Sequence, residues 1–178
     1  MKKFLIILVS ILVLGSATFA DTFPIDIEDC IIRNGRVRIA GWYNQRRSYG
    51  KHKAIDIPAI VGTPVKTFRK GRVIKISHEY WSRNNMHAYG NYIVIEERNG
   101  TKWLYAHLNA TNVKLNENVK EGEIIGFVGW TGLPYIAPHL HMEKRDKYGK
   151  KIMFTKQLGD SVRKYLPNPK TKYTFVLR

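Results

Sequence analysis

Five side chains of the types that bind divalent metal ions fall in three short segments of the sequence. His52 and Asp56 lie four residues apart, His139 and His141 lie two apart, and His107 stands between these pairs at the end of an aromatic run. Two imidazole nitrogens with one carboxylate oxygen can hold zinc and leave a fourth position open for water, as in catalytic sites. A structural zinc site would need four ligands, commonly cysteines, and the chain has one cysteine. The residues therefore favour hydrolytic metal chemistry.

The pair His139 and His141 has the spacing of a β-strand face. Side chains two residues apart on a strand project to the same side, so the two imidazoles would lie together while Leu140 and Met142 face the core. Neutral imidazoles side by side suit one metal ligand and one neighbour that acts on the attacking water. Two half-exposed strand histidines without a function are the alternative interpretation.

In the pair His52 and Asp56, the aspartate is the stronger indication of a site, because it lies between Ile55 and Ile57. A carboxylate in an apolar strand is unfavourable unless it is paired or binds a cation. The four-residue spacing from His52 places both side chains on one side of either an extended segment or one helical turn. The alternatives are an edge-strand aspartate in water and an aspartate paired with an arginine. His107, taken alone, would be a packed or solvated strand-end histidine.

Short β-strands are the elements that must position these residues. Runs of β-branched residues between turn residues predict an antiparallel all-β domain, with strands at Pro64–Phe68, Arg72–Ser77, Tyr92–Glu96, Lys102–His107, Ile124–Val128 and Leu140–Arg145. Asn99-Gly100 predicts a hairpin, since a primed turn needs residues that accept positive φ. Residues 78–90 are interpreted as a long hairpin loop, and Thr155–Leu166 as a short helix ended by Pro167.

The composition favours one ordered domain. Of 178 residues, 44% are hydrophobic and 25% are charged, which argues against a disordered chain. No repeat or low-complexity linker divides the chain after residue 20. We therefore expect a single domain after residue 20.

The first twenty residues predict export. Lys2 and Lys3 precede an apolar stretch from Phe4 to Leu14, and small residues lead to a cleavage site after Ala20, as in secretory signal peptides. The alternative, an uncleaved anchor, would need about 20 apolar residues to span a bilayer. We expect a location in the periplasm or cell envelope, with secretion into the medium as the alternative, and no stable membrane insertion after cleavage.

The charge balance predicts an anionic partner. With 30 Lys and Arg against 14 Asp and Glu, the net charge is +16, which attracts nucleic acid, anionic lipid or the carboxylates and phosphates of a bacterial envelope. The predicted export favours envelope polymers over nucleic acid. A monomer is expected.

Several motifs together resemble the lysostaphin/LytM-type zinc endopeptidases that cut bacterial peptidoglycan. The resemblance covers about residues 50–146 and rests on four ordered elements: His52-x-x-x-Asp56 with Gly62-Thr63-Pro64-Val65, Tyr105-Ala106-His107-Leu108, Val119-Lys120-Glu121-Gly122 with Ile125-Gly126, and Gly129-Trp130-Thr131-Gly132 with Pro138-His139-Leu140-His141. It implies the family's antiparallel sheet, which forms a substrate groove. It also implies the division of the chain, with an N-terminal segment at 21–49, the zinc endopeptidase domain at 50–146 and a basic C-terminal extension at 147–178 that we expect to pack on the same domain.

The same resemblance implies a role for each of the five residues. His52, Asp56 and His141 would bind one Zn²⁺ ion, and His107 and His139 would be the catalytic pair, either of which could act as the base. The activity implied is hydrolysis of peptide cross-links of peptidoglycan by a metal-activated water. The alternative is a catalytically latent or non-enzymatic envelope module that binds peptidoglycan or activates a partner hydrolase.

Overall fold

A computed structural model describes residues 23–26, 29, 32–33, 36–37, 39–48, 50–82, 88–134 and 136–158. The predicted signal peptide at 1–20 lies outside these residues, as does most of the predicted helix Thr155–Leu166, whose first turn is present at 155–158. Within the described part of the chain, no helix has the length and apolar character that a membrane span requires.

The described residues form thirteen strands, and every pairing between them is antiparallel. The first seven are β1 (Ile32–Arg33), β2 (Arg36–Val37), β3 (Gln45–Arg47), β4 (Gly50–His52), β5 (Ile55–Pro58), β6 (Pro64–Lys66) and β7 (Gly71–Glu79). The others are β8 (Gly90–Glu96), β9 (Lys102–Thr111), β10 (Asn118–Val119), β11 (Ile124–Val128), β12 (His139–Arg145) and β13 (Lys151–Ile152). The predicted antiparallel all-β class is confirmed, and all six predicted strands are present.

Nine strands form one sheet, in which β10, β7, β8, β9, β11 and β6 are neighbours in that order. Strand β12 pairs with β9 on one side and with β5 on the other, and β13 pairs with β12. The pairs β1–β2 and β3–β4 are separate two-stranded sheets. Strands β5, β9 and β12 therefore lie side by side, although they are far apart in sequence.

The sheet branches along β9, at His107. The first half of β9 pairs with β12 up to Ala106, and the second half pairs with β11 from Leu108 onward. His107 itself has φ = 61°, a left-handed conformation that is uncommon for a residue other than glycine. Its N–H donates to the carbonyl oxygen of Tyr89 at 2.8 Å, next to a register shift between β8 and β9. Such an irregularity re-aims a side chain that a regular strand would place elsewhere.

Apolar side chains cover both faces of the central strands. In β8, Ile93 and Ile95 belong to the larger core cluster, whereas Tyr92 and Val94 belong to a smaller cluster on the other face. This arrangement explains why the segment is a continuous apolar run, because a strand buried on both faces shows no alternation.

The C-terminal residues pack on the same core. Phe154 and Leu158 are 2% and 0% exposed, and the Phe154 ring lies edge-on to Trp103 with centroids 5.3 Å apart. Residues after 158 lie outside the described chain.

Two local predictions are corrected. The hairpin between β8 and β9 is present, but Glu97 N–H bonds to the carbonyl of Thr101, so the loop has three residues, and Gly100 takes φ = 85°. A loop with one left-handed glycine replaces the predicted two-residue primed turn. The predicted loop at 78–90 is shorter than expected, since β7 continues to Glu79 and β8 begins at Gly90; residues 83–87 are not described.

Adjacent isoleucines in β11 provide a test of this packing. Ile125 is fully buried, whereas Ile124 is 37% exposed. We expect Ile125→Ala to lower the free energy of unfolding by about 2–5 kcal/mol, since it leaves a cavity. Ile124→Ala should lower it by about 1 kcal/mol or less. Urea unfolding of both variants checks this, and equal losses would contradict the assignment of faces.

Candidate metal centre

All five predicted site residues line one groove of about 310 Å³. The strand register brings them together: His141 of β12 lies opposite Asp56 of β5 on one side and opposite Ala106, next to His107, on the other. His52 ends β4, and two residues separate it from the start of β5. The segment from His52 to Asp56 is extended, and the one-turn helical alternative is wrong.

The histidine pair on β12 projects as its spacing predicts. Leu140 and Met142 are fully buried in the core, while His139 and His141 line the groove. The alternation of a regular strand accounts for this division.

The Asp56 carboxylate is the centre of the site and is 5% exposed. Its Oδ1 lies 2.9 Å from His141 Nδ1, 3.3 Å from His52 Nε2 and 3.7 Å from His139 Nε2. Burial by itself would raise the pKa of Asp56, but its interactions with His141 and His52 outweigh burial and hold that pKa well below its ordinary value.

The other oxygen of Asp56 has an arginine partner. Arg47 Nη2 of β3 donates to Asp56 Oδ2 at 2.9 Å. An aspartate paired with an arginine was one of the alternatives predicted for Asp56, and this pair is present together with the histidine contacts. Because Arg47 holds Oδ2, Oδ1 is the oxygen presented to the histidines.

The main chain comes unusually close to Asp56 at Gly41. Gly41 and Asp56 form an isolated antiparallel bridge, with Asp56 N–H donating to the Gly41 carbonyl at 2.9 Å. A Cβ at position 41 would collide with the Asp56 carboxylate and the Arg47 guanidinium. Residues before position 50 therefore build part of the site, which the sequence analysis did not expect.

Three of the four groove histidines are held by main-chain carbonyls. The Nδ1 atoms of His52, His107 and His139 lie 3.2, 2.8 and 2.7 Å from the carbonyl oxygens of Trp42, Thr131 and Ala137, respectively. A carbonyl can only accept, so each Nδ1 carries the hydrogen and each Nε2 is left to bind a cation or accept a proton.

His107 and His139 are held neutral by their surroundings. Burial, together with the neighbouring His141 and His139, lowers the pKa of His107 to about 3. Burial also lowers the pKa of His139, although the charge of Asp56 opposes it. Their rings lie 4.9 Å apart between centroids. Two neutral imidazoles side by side each present an unprotonated Nε2 to the groove.

His141 differs because both of its ring nitrogens face carboxylates. Nδ1 lies 2.9 Å from Asp56 Oδ1, and Nε2 lies 3.2 Å from Glu143 Oε1. Burial would lower the pKa of His141, but the hydrogen bonds that its ring donates to Asp56 and Glu143 raise it to about 9. A cation that replaced the Nδ1 proton would leave the Nε2–H on Glu143, so Nδ1 is the ring atom available as a ligand.

Glu143 also lines the groove, although the sequence alone did not single it out. It is fully buried and accepts from Lys151 Nζ at 2.6 Å, Arg145 Nη2 at 2.7 Å and Tyr89 Oη at 2.8 Å. Burial would raise its pKa, but the hydrogen bond and charge of His141, followed by Lys151, hold it below the ordinary value. The strand alternation of His139 and His141 continues to position 143 and was the signal that could have found it.

The donor atoms fit a divalent cation. Two groups of described residues have ligand atoms within 4.8 Å of one another: His52, Asp56 and His141, and His107, His139 and His141. Only the first includes a carboxylate, and its three ligands are each held from behind, by the Trp42 carbonyl, Arg47 and Glu143. Ligands oriented in this way are typical of catalytic zinc sites.

The fold and the site together define a metallopeptidase type of domain. An antiparallel sheet brings two histidines and an aspartate together in a groove, and two neutral histidines lie beside them. The chain belongs to one family of this type: residues 50–153, more than half of the 178, match peptidase family M23. The predicted resemblance is confirmed.

The comparisons with individual proteins agree. The chain is 40% identical over 94 residues to the DD-carboxypeptidase/endopeptidase Mpg of Neisseria meningitidis, a match that covers 53% of this chain and 20% of that protein. It thus spans about a fifth of the length of this curated relative.

Among solved structures, the chain is similar to a zinc containing peptidase from Vibrio cholerae, with a TM-score of 0.60 and 26% sequence identity. This match covers 75% of this chain and 38% of the Vibrio cholerae chain. The catalytic domain of lysostaphin from Staphylococcus simulans has a TM-score of 0.54 and 31% identity over 67% of this chain and 87% of the other. The second match covers nearly the whole of a catalytic domain, so the fold expected from the resemblance is confirmed.

The buried Glu143 network generates a stability prediction. We expect Glu143→Gln to lower the free energy of unfolding by about 3 kcal/mol or more, because it leaves Lys151 and Arg145 without a charged partner in a buried network. Glu96→Gln, which breaks the more exposed pair with Lys102 at 2.9 Å, should cost about 1 kcal/mol or less. Denaturant unfolding of both variants measures the difference, and similar losses would be inconsistent with a structural role for Glu143.

Proposed function

We propose that this protein is a zinc-dependent endopeptidase that hydrolyses peptide cross-links of bacterial peptidoglycan. The observation that carries the proposal is the donor set of His52, Asp56 and His141 in one groove with the neutral pair His107 and His139. Membership of family M23 and the resemblance to lysostaphin-type enzymes support the substrate class.

In this proposal His52 Nε2, Asp56 Oδ1 and His141 Nδ1 hold the metal. Zinc, when bound, lowers the pKa of water toward about 7 and polarises the scissile carbonyl. Arg47 keeps Asp56 Oδ2 engaged, so the carboxylate offers a single oxygen. Glu143 keeps Nδ1 of His141 turned toward Asp56.

His107 and His139 perform the proton transfers. Amide hydrolysis requires that the attacking water lose a proton and that the leaving amine gain one. Each imidazole has Nε2 free of its main-chain anchor, and each is neutral near pH 7. One ring can take up the proton of the attacking water transiently, and because its pKa is lowered it can pass that proton on readily to the leaving amine. Their fixed Nδ1 contacts orient both rings before substrate arrives.

We extend the functional unit beyond residues 50–146. Arg47 and Gly41 contact Asp56, and Lys151 contacts Glu143. The proposed organisation is therefore a signal peptide at 1–20, an N-terminal segment whose residues 41–47 complete the metal centre, the central domain, and a C-terminal extension packed on the same core.

Substitution separates the two proposed roles. We expect His52→Ala, Asp56→Ala or His141→Ala to lose both zinc and lysis of purified sacculi. His107→Ala or His139→Ala should retain zinc and lose at least about 100-fold in activity, since general acid and base groups contribute on the order of 10²–10⁴-fold. Elemental analysis and release of soluble muropeptides measure the two properties.

His78→Ala is the matched control because His78 lies in β7 and does not line the groove. It should keep both zinc and activity, and a chelator should abolish the activity until zinc is restored. An active His141→Ala protein would overturn the proposal. A wild-type protein that binds zinc and sacculi without cutting them would instead support a latent envelope module.

We further propose that the protein acts in the periplasm or cell envelope as a monomer. The net charge is +16 for the whole chain and +14 without Lys2 and Lys3 of the signal peptide, and this charge would hold the exported protein to anionic envelope polymers by long-range attraction. Such attraction between exposed charges is screened by salt.

This role of the charge predicts salt-sensitive binding. Raising ionic strength from about 0.1 M to about 1 M shortens the Debye length from about 10 Å to about 3 Å, so the fraction of protein that sediments with sacculi should fall. The measurement uses His107→Ala protein, which keeps the proposed metal ligands while the sacculi stay intact. Binding that does not change with salt would exclude this use of the charge.

A further inference from the structure

The groove carries more positive than negative charge. Its described lining includes four cationic side chains, those of Arg47, Lys51, Lys53 and Lys151, against the two carboxylates of Asp56 and Glu143. A zinc ion in the proposed site would add two further positive charges.

Neither carboxylate is available to repel an anionic ligand. Asp56 is 5% exposed and Glu143 is fully buried; the first is paired with Arg47 at 2.9 Å and the second with Lys151 at 2.6 Å. These two pairs account for two of the four cations. The surplus positive charge is that of Lys51 and Lys53.

Lys51 and Lys53 keep their charge uncompensated among the described residues. The Lys53 ammonium donates to the Asn44 side-chain carbonyl and lies 4.9 Å from the centroid of the Tyr43 ring, both of them neutral partners. Lys51 is exposed on β4 and forms no salt bridge with a described carboxylate.

The position of these lysines limits where an anionic group would be bound. Both side chains line the same groove of about 310 Å³ as His52, Asp56 and His141, and an extended peptide advances about 3.3 Å per residue. In a groove of this size, a group bound by either ammonium lies within one or two substrate residues of the bond held at the proposed metal ligands.

We propose that Lys51 and Lys53 select peptide substrates that bear a free carboxylate within one or two residues of the scissile bond. This inference rests on the proposed function. The carboxylate is either the C-terminal group of the substrate or a side-chain group near the bond, and both present the same chemistry to an ammonium. An uncharged cross-bridge, such as one of glycine, lacks this contact and is the poorer substrate.

Matched peptides test the selection with the zinc-loaded full-length protein. One pair of D-amino-acid cross-linked peptides differs only in a C-terminal carboxylate or carboxamide, and a second pair differs only in a side-chain carboxylate or carboxamide. We expect kcat/KM for the carboxylate member of at least one pair to exceed that of its amide by about threefold or more, chiefly through KM. The pair that shows the preference identifies the source of the carboxylate.

The two failures are distinguishable. If no peptide and no sacculus is cleaved, the proposed function is wrong. If the carboxylate and amide members of both pairs are cleaved equally well, or if a pentaglycine peptide is the better substrate, the function stands and the inference is overturned.

Variants assign the preference to the two lysines. In Lys51→Gln/Lys53→Gln, the carboxylate-to-amide ratio of kcat/KM should fall toward 1 while bound zinc is retained. Lys114→Gln is the matched control, because this exposed lysine lies between β9 and β10 and does not line the groove; its ratio should equal that of the wild type. A double variant that folds, binds zinc and keeps the full ratio would overturn the inference.

Discussion

The burial of the Asp56 carboxylate is the constraint on which the rest of the site depends. A charged group at 5% exposure is strongly unfavourable unless every lone pair has a partner. The chain satisfies Oδ2 with Arg47 and surrounds Oδ1 with His141, His52 and His139. The need for partners makes a buried aspartate unfavourable in a core. The same need places several ring nitrogens around Oδ1 of Asp56, and this arrangement makes Oδ1 a good metal ligand. A metal ion in the site would complete an arrangement that the protein has already built.

A second buried carboxylate supports the first one. Glu143 lies behind His141 and is itself neutralised by Lys151 and Arg145. These contacts link the Asp56 carboxylate, the His141 imidazole, the Glu143 carboxylate and the two cations in that order. Each member of this series orients the next one and so helps to orient the metal ligands. Removal of one member would leave its neighbours with an unpaired charge.

The branch of the sheet joins the fold to the chemistry. Because β9 changes its partner from β12 to β11 at His107, this side chain leaves the regular strand alternation and turns toward His139 and His141. The N–H of His107 is still satisfied, by Tyr89, and its ring by Thr131. These two hydrogen bonds stabilise the left-handed backbone conformation of His107. A residue in a regular strand would not adopt this conformation.

Local patterns in the sequence determined the strands, the common face of His139 and His141, and the need of Asp56 for a partner. Strand β11 has the predicted limits, because burial and turn chemistry act over a few residues. The partners of the carboxylates were decided only by the tertiary structure. Tyr89 and Glu143 are 54 residues apart, and Arg47 reaches Asp56 from a separate hairpin. Contacts of this kind depend on strand order and register, which arise when distant strands pair and bury their shared core. No local pattern of residues encodes strand order or register.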